Sequence, residues 1–373
     1  MGAAREIDAL NDSRIAELDP LGIDRLLSAV RSMNSADDLN GLVGLLRHAV
    51  PADSGHLLPH ECIAAMRDLG LLMGSIKRHG VEPVRAVPEL GEVLLDLGKR
   101  TGMVPRDTLL HYTVWNPPGP RQRLYTGDYM ERMLIAGVCA TVFRLAEAAE
   151  VCKHLINADP DELEFAVAAN ELVALLRCLE DSMDLVMANM TPEFFALIAR
   201  PYYEAIDVGG YTYLGPAAAH VPLYLVDLVV WASDHCDEDR KKFLLEWARY
   251  GIQPWQYLSR QWASGPSLIT RVEAAWKSAG GRASPILYGS VEALSRVLRA
   301  LVVFRGKHFT VTRAAYDVDL RIYDVGSGGG DLELLSYFST YTRDITSLLR
   351  RSLTSSTVKH LKVRNTETEH SGC

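Results

Sequence analysis

The sequence predicts an all-α protein, and three observations carry that prediction. Apolar residues recur at three- and four-residue steps over most of the chain, which is the pattern of one helical stripe. The patterns stop where helix punctuation stands, as at Gly80 and at Thr191-Pro192. The glycine-rich run Val325-Gly-Ser-Gly-Gly-Gly-Asp331 follows one helical pattern and precedes another. A nucleotide-type glycine loop needs a strand before it and alternating strands and helices after it, so that class is excluded.

Taken in order, residues 23–33 and 39–50 read as short helices. Pro51, Gly55 and Pro59 separate them from a stronger one over 60–80, striped by Ile63, Met66, Leu69, Leu72, Met73 and Ile76. Its basic end, Lys77-Arg78-His79, suits a helix C-terminus, with Gly80 as cap. Another helix follows over 88–102. In the segment 109–120 the prolines forbid a helix past Asn116. Residues 128–157 and 161–190 form two long amphipathic patterns, on which Glu180 and Asp184 lie one turn apart as a solvated pair. Thr191 and Pro192 then open a helix as N-cap and first residue. The small-residue stretch 209–219 reads as a loop before the apolar run 221–232. Helical patterns resume at 238–263 and 266–279.

The longest stripe comprises Val291, Leu294, Val297, Leu298, Leu301 and Phe304, and continuing its step puts His308, Val311 and Ala315 on the same face. A single histidine on a buried face is more often a hydrogen-bonded core residue than a ligand. Asp331 reads as the N-cap of the final helix, and residues 356–373 as a polar, disordered tail. The expected division is a smaller helical subdomain over 1–120, a helical catalytic domain over 121–355, and that tail.

Bulk properties remove several function classes. The 373 residues carry a net charge of −8, and no basic stripe precedes the tail, so nucleic acid is not an expected partner. The run 221–232 is too short to span a bilayer and is interrupted by Asp227. The six cysteines show no disulfide framework, and no C-x-x-C-H for covalent haem occurs. The single Glu-x-x-His, Glu367 to His370, stands in the tail, which argues against a di-iron bundle, and zinc spacings are absent. A cytoplasmic protein without a membrane partner is expected, as a monomer or homodimer.

Phe304-Arg305-x-x-His308 on a helix, then Gly326-Ser-Gly-Gly-x-Asp331-Leu332 opening another, resembles the haem-dependent tryptophan and indoleamine 2,3-dioxygenase superfamily. Within it the chain resembles the monodechloroaminopyrrolnitrin synthase family, over segments 64–80, 108–119, 200–223 and 304–308. The resemblance implies an indoleamine 2,3-dioxygenase-like helical haem fold, haem b as cofactor and dioxygen as co-substrate. It makes His308 the proximal iron ligand and Arg305, or Lys307, a partner for the haem propionates. It implies Tyr316 and Ser327 as catalytic residues. Arg200 would grip the carboxylate of an aromatic amino acid, with Tyr112, Gly215, Ala217, Ala218 and Gly328 also at the substrate. His111 and Trp115 are further lining candidates, whereas His220 need not face the iron.

The implied reaction rearranges L-tryptophan or 7-chloro-L-tryptophan with decarboxylation to an aminophenylpyrrole. Because Gly330 and Asp331 continue the loop in the dioxygenase manner, 2,3-ring cleavage or hydroxylation of another aromatic amino acid stay open. A haem sensor without turnover is the alternative from another class.

Overall fold

Helix boundaries in the chain follow local chemistry closely, as its computed structural model shows for residues 10, 12–216, 221–280, 282–316 and 332–347. The first third holds α1 (Arg14–Glu17), α2 (Leu27–Ser35), α3 (Leu39–Ala49), α4 (Pro59–Lys77), α5 (Pro83–Ala86), α6 (Leu90–Thr101) and α7 (Leu109–Tyr112). Asp38 caps α3 by accepting from Gly41 N–H at 2.9 Å. Helix α6 ends at Gly102, whose φ of 68° is the left-handed cap that a side chain would resist. Every residue of α4 from Cys62 to Ile76 is buried, so this helix is enclosed on all sides by α3, α6, α7 and their neighbours.

The remainder is built on α8 (Tyr129–Asn157), α9 (Leu163–Asn189) and the 31-residue α15 (Pro285–Ala315). Helix α9 packs along both of the others, which makes it the middle of the stack. Between α9 and α15 come the hairpin β1 (Ile206–Val208) and β2 (Tyr211–Tyr213), then α10 (Val221–Asp227), α11 (Ser233–His235), α12 (Glu238–Ala248), α13 (Gln253–Trp262) and α14 (Leu268–Ser278). A helix over 332–347, α16, follows α15. The fold is all-α, with this two-stranded hairpin as its β structure among the described residues.

Three local departures have physical reasons. The hairpin was expected as loop, yet Gly209 and Gly210, with φ of 58° and 82°, form the turn that two-residue hairpins favour. The pattern over 238–263 splits into α12 and α13, because Pro254 starts a new helix instead of continuing one. Glu180 and Asp184 are not merely solvated, since both hold Lys307 of α15, at 3.0 and 2.5 Å. No helix among the described residues is long and apolar enough to cross a membrane.

Candidate haem and substrate site

The site centres on the last three turns of α15, where an apolar stripe meets two charged side chains. Leu294, Val297, Leu298 and Leu301 are buried, and one turn on the same face brings in Arg305, itself buried. Its Nη2 donates to both carboxylate oxygens of Asp227 at 2.5 Å, and its Nη1 donates to Thr342 Oγ1 on α16. Its guanidinium lies 5.6 Å from the Trp231 ring and 5.8 Å from the Phe338 ring. Trp231 Nε1–H donates to Asp227 at 2.8 Å. A buried ion pair thus ties α10, α15 and α16 together.

Asp227 and Trp231 reach this position through an irregular backbone. Helix α10 passes directly into a π-helical turn over Leu228–Ala232, all five residues of which are buried. The wider turn shifts the side chains it carries relative to a regular helix, a device common at functional sites. Here it lets Asp227 and Trp231 both address Arg305. Nothing in the motif spacing named Asp227, but one signal was available: a lone carboxylate inside an apolar helix requires a buried cation.

His308 lies one turn beyond Arg305. Its ring stacks on Phe304 at 5.7 Å and 9° and keeps a partly accessible edge. Desolvation, and secondly the Arg305 charge, hold its pKa below the ordinary histidine value, so the imidazole is neutral at pH 7. Among the described residues it makes no hydrogen bond. Haem iron takes a neutral imidazole nitrogen with an uncommitted lone pair. The residue present at 308 fits that requirement.

Arg305 does not fit its expected role equally well. Its charge is already neutralised by Asp227, so it locks the helix that carries His308, and a propionate would have to compete with Asp227. Lys307 is likewise engaged, and its pKa is raised through its hydrogen bonds to Asp184 and Glu180. Arg200 is buried and donates to Glu204 Oε1 at 2.7 Å across one turn, so an incoming carboxylate competes with Glu204. Tyr316 stands directly after α15 and is half-buried. Ala217, Ala218, His220, Ser327 and Gly328 lie outside the described residues.

Two further expectations acquire a different physical meaning. Gly215 was read as making room for a substrate, but a Cβ there would collide with the backbone carbonyl of Tyr203. The missing side chain is used by the protein's own backbone. Tyr112 is buried, and its hydroxyl pairs with Tyr203 Oη at 2.8 Å and donates to Glu131 at 3.1 Å. Glu131 also accepts from the backbone N–H of Tyr125, Thr126 and Gly127, so Tyr112 belongs to a loop clamp. Burial foremost, with Glu131 beside it, keeps the Tyr112 phenol protonated.

A sequence model of the family described as Monodechloroaminopyrrolnitrin synthase PrnB matches residues 52–288. The matched stretch runs from just before α4 into the first turn of α15. It includes Tyr112, Arg200, Gly215, Asp227 and Trp231, while Arg305, His308 and Tyr316 follow it.

Proposed function

The chain belongs to the monodechloroaminopyrrolnitrin synthase family of oxygenases, and on that premise we propose that it is a haem b-dependent oxygenase of L-tryptophan or 7-chloro-L-tryptophan. The proposed reaction rearranges the indole with loss of carbon dioxide to an aminophenylpyrrole. The observation that carries the haem assignment is His308, a neutral imidazole whose nitrogens are uncommitted among the described residues. Haem held through His308 would supply the iron chemistry that activates dioxygen.

The chain's own residues then bind, orient and exclude water. Arg305 holds α15 against α10 and α16, so His308 presents its ring from a fixed helix. A positioned ligand supplies more than a mobile one because the alignment is completed before substrate arrives. Tyr316, Ser327 and Gly328 are the groups we assign to the amino-acid end of the substrate. Hydroxyls and glycine N–H groups bind an amino acid without adding bulk. Arg200 is assigned to the carboxylate, by exchange of Glu204 for the substrate as its partner. Such an exchange retains one charge-assisted pair before and after binding.

The test is an optical titration followed by product analysis. Purified chain plus haem is expected to develop a Soret band near 400 nm, and adding tryptophan or 7-chlorotryptophan to shift it. Mass analysis after oxygen is supplied separates an aminophenylpyrrole from an N-formylkynurenine. A spectrum that responds to neither amino acid, with no product, supports a sensor instead.

A further inference from the structure

Behind Arg305, three aromatic rings form a continuous file from the interior to the surface. Trp231 is fully buried, and its ring centroid lies 5.4 Å from that of Tyr341. Tyr341 stacks on Tyr337 at 5.3 Å and 18°. Both tyrosines are partly accessible. Tyr337 is hydrogen-bonded to the half-exposed Asp237, whose carboxylate also pairs with Arg240 at 3.2 Å. Arg240 covers the Tyr337 ring at 4.3 Å.

From this arrangement we propose that Trp231, Tyr341 and Tyr337 form a path that carries single oxidising equivalents from the α15 site to the surface. What the path serves rests on the haem reading, whereas its conduction does not. Indole and phenol rings give up one electron far more readily than aliphatic side chains, so a file of touching rings is a route and its surroundings are not. At the inner end the Trp231 ring lies between opposite charges, with Arg305 5.6 Å from it and the Asp227 carboxylate accepting its N–H at 2.8 Å. The outer end has a proton acceptor, so oxidation of Tyr337 yields a neutral radical.

The balance at each step is simple. Trp231 would give up one electron to an oxidant that peroxide generates at haem in the α15 site, its N–H remaining bonded to the Asp227 carboxylate. Tyr341 refills Trp231 and releases its phenolic proton to solvent. Tyr337 refills Tyr341, which recovers a proton, while the Tyr337 proton passes to Asp237. A small one-electron reductant of the ascorbate class then restores Tyr337 at the surface, and Asp237 returns the proton. In the absence of substrate, the path drains an oxidant that would otherwise destroy the site.

Two measurements test this. Laser photoionisation of the full chain without cofactor creates tryptophan radicals, and their conversion to tyrosyl radicals is followed by transient absorption. Trp231→Phe and Tyr341→Phe are expected to remove the same concentration-independent share of that conversion. If Tyr341→Phe leaves the conversion at the wild-type level, the path is wrong. Tyr341→Phe retains the ring and its packing, so this arm holds even where Trp231→Phe loses stability through its smaller ring and the lost N–H bond to Asp227.

The second measurement applies hydrogen peroxide to the haem-loaded chain, with freeze-quenched electron paramagnetic resonance and Soret bleaching as readouts. Wild type should give a tyrosyl radical that ascorbate quenches. Tyr341→Phe should lower that radical to the level of Tyr337→Phe and bleach faster. A radical of undiminished yield in both variants overturns the protective role. Failure to develop a Soret band refutes the haem reading and leaves the path to be judged by photoionisation.

Discussion

Two regions of the molecule hold a neutral histidine beside arginine–aspartate pairs, and they differ in what its lone pair does. His111, on α7, is enclosed near Arg67, Asp68, Arg106, Asp107 and Arg123. Its Nδ1 accepts the Thr108 backbone N–H at 3.0 Å and lies 3.1 Å from the Thr108 hydroxyl. Its ring meets Trp115 edge-on at 4.7 Å. Desolvation first, then Arg67 and Arg106, depress its pKa to about 3. His308 is depressed in the same direction for the same kinds of reason, yet it keeps an accessible edge and no hydrogen bond among the described residues. Neutrality is thus common to both, and they differ in that the His111 lone pair, on Nδ1, accepts from Thr108 while His308 makes no hydrogen bond among the described residues. The void of about 10 Å³ beside His111 has room for at most one water.

The largest expected effect follows from this contrast. His308→Ala should abolish the Soret band and turnover while the far-ultraviolet circular dichroism and Tm change little, because the ring is only half-buried. His111→Ala should do the reverse. It leaves a cavity and orphaned groups at Thr108, so Tm falls, while haem affinity measured on the folded fraction stays near wild type. Equal losses of haem binding in both variants would remove the distinction drawn above.

Second in size is Asp227→Asn. Breaking a buried ion pair by neutralising one partner strands the other charge, at a cost of about 3–5 kcal/mol. Among the described residues Arg305 has no second carboxylate partner, Thr342 being neutral. Urea unfolding is expected to show the loss, and replacing Arg305 as well, by Met, should recover part of it. If the double variant were no better than the single one, the penalty would not come from a stranded cation.

The histidine comparison can also be sharpened by pH. His111 ionises near 3 when folded and at its ordinary value of 6.5 when unfolded. The unfolded chain therefore binds the proton first, so this group's contribution to stability is whole above pH 6.5 and is lost as pH falls toward 3. The total is on the order of a few kcal/mol. In His111→Gln the dependence of unfolding free energy on pH between 4 and 6 should be shallower than wild type by up to about 1.4 kcal/mol per pH unit. Asp68, Asp107 and His308 titrate in both proteins, so the difference isolates His111. Parallel slopes would assign the acid sensitivity elsewhere.

How much of this could be read from the sequence depended on whether the determinant was local. The long helices were legible because their stripes and caps lie within a few residues. The expected 128–157 and 161–190 are α8, Tyr129–Asn157, and α9, Leu163–Asn189. Thr191 does cap, accepting from Phe194 N–H at 3.2 Å. Gly80 does adopt a positive φ, 74°, past the end of α4. His308 lies on such a stripe too, but a ligand role for it is implied by the family resemblance and not by the stripe. What remained hidden were the partners chosen across sequence distance: Asp227 for Arg305, Tyr203 for both Tyr112 and Gly215, and Glu180 with Asp184 for Lys307. Spacing along the chain carries no record of those pairings, and the π-turn that aims Asp227 has no simple sequence signature.

The smallest effect is expected at Lys307, and it bears on how the two charged neighbours of His308 differ. Arg305 is buried and its pair is structural, whereas the Lys307 contacts with Asp184 and Glu180 lie at the surface, where salt screens them and side-chain entropy opposes them. Lys307→Ala should therefore leave Tm indistinguishable from wild type at moderate ionic strength. Its two carboxylate partners become solvated rather than stranded, which is why truncation here costs so much less than at Asp227. Haem affinity provides the second readout. If the ammonium stays with α9, affinity is unchanged. If Lys307→Ala weakens haem retention without moving Tm, the lysine exchanges its carboxylates for a propionate on loading, and the role first expected of Arg305 passes to its exposed neighbour.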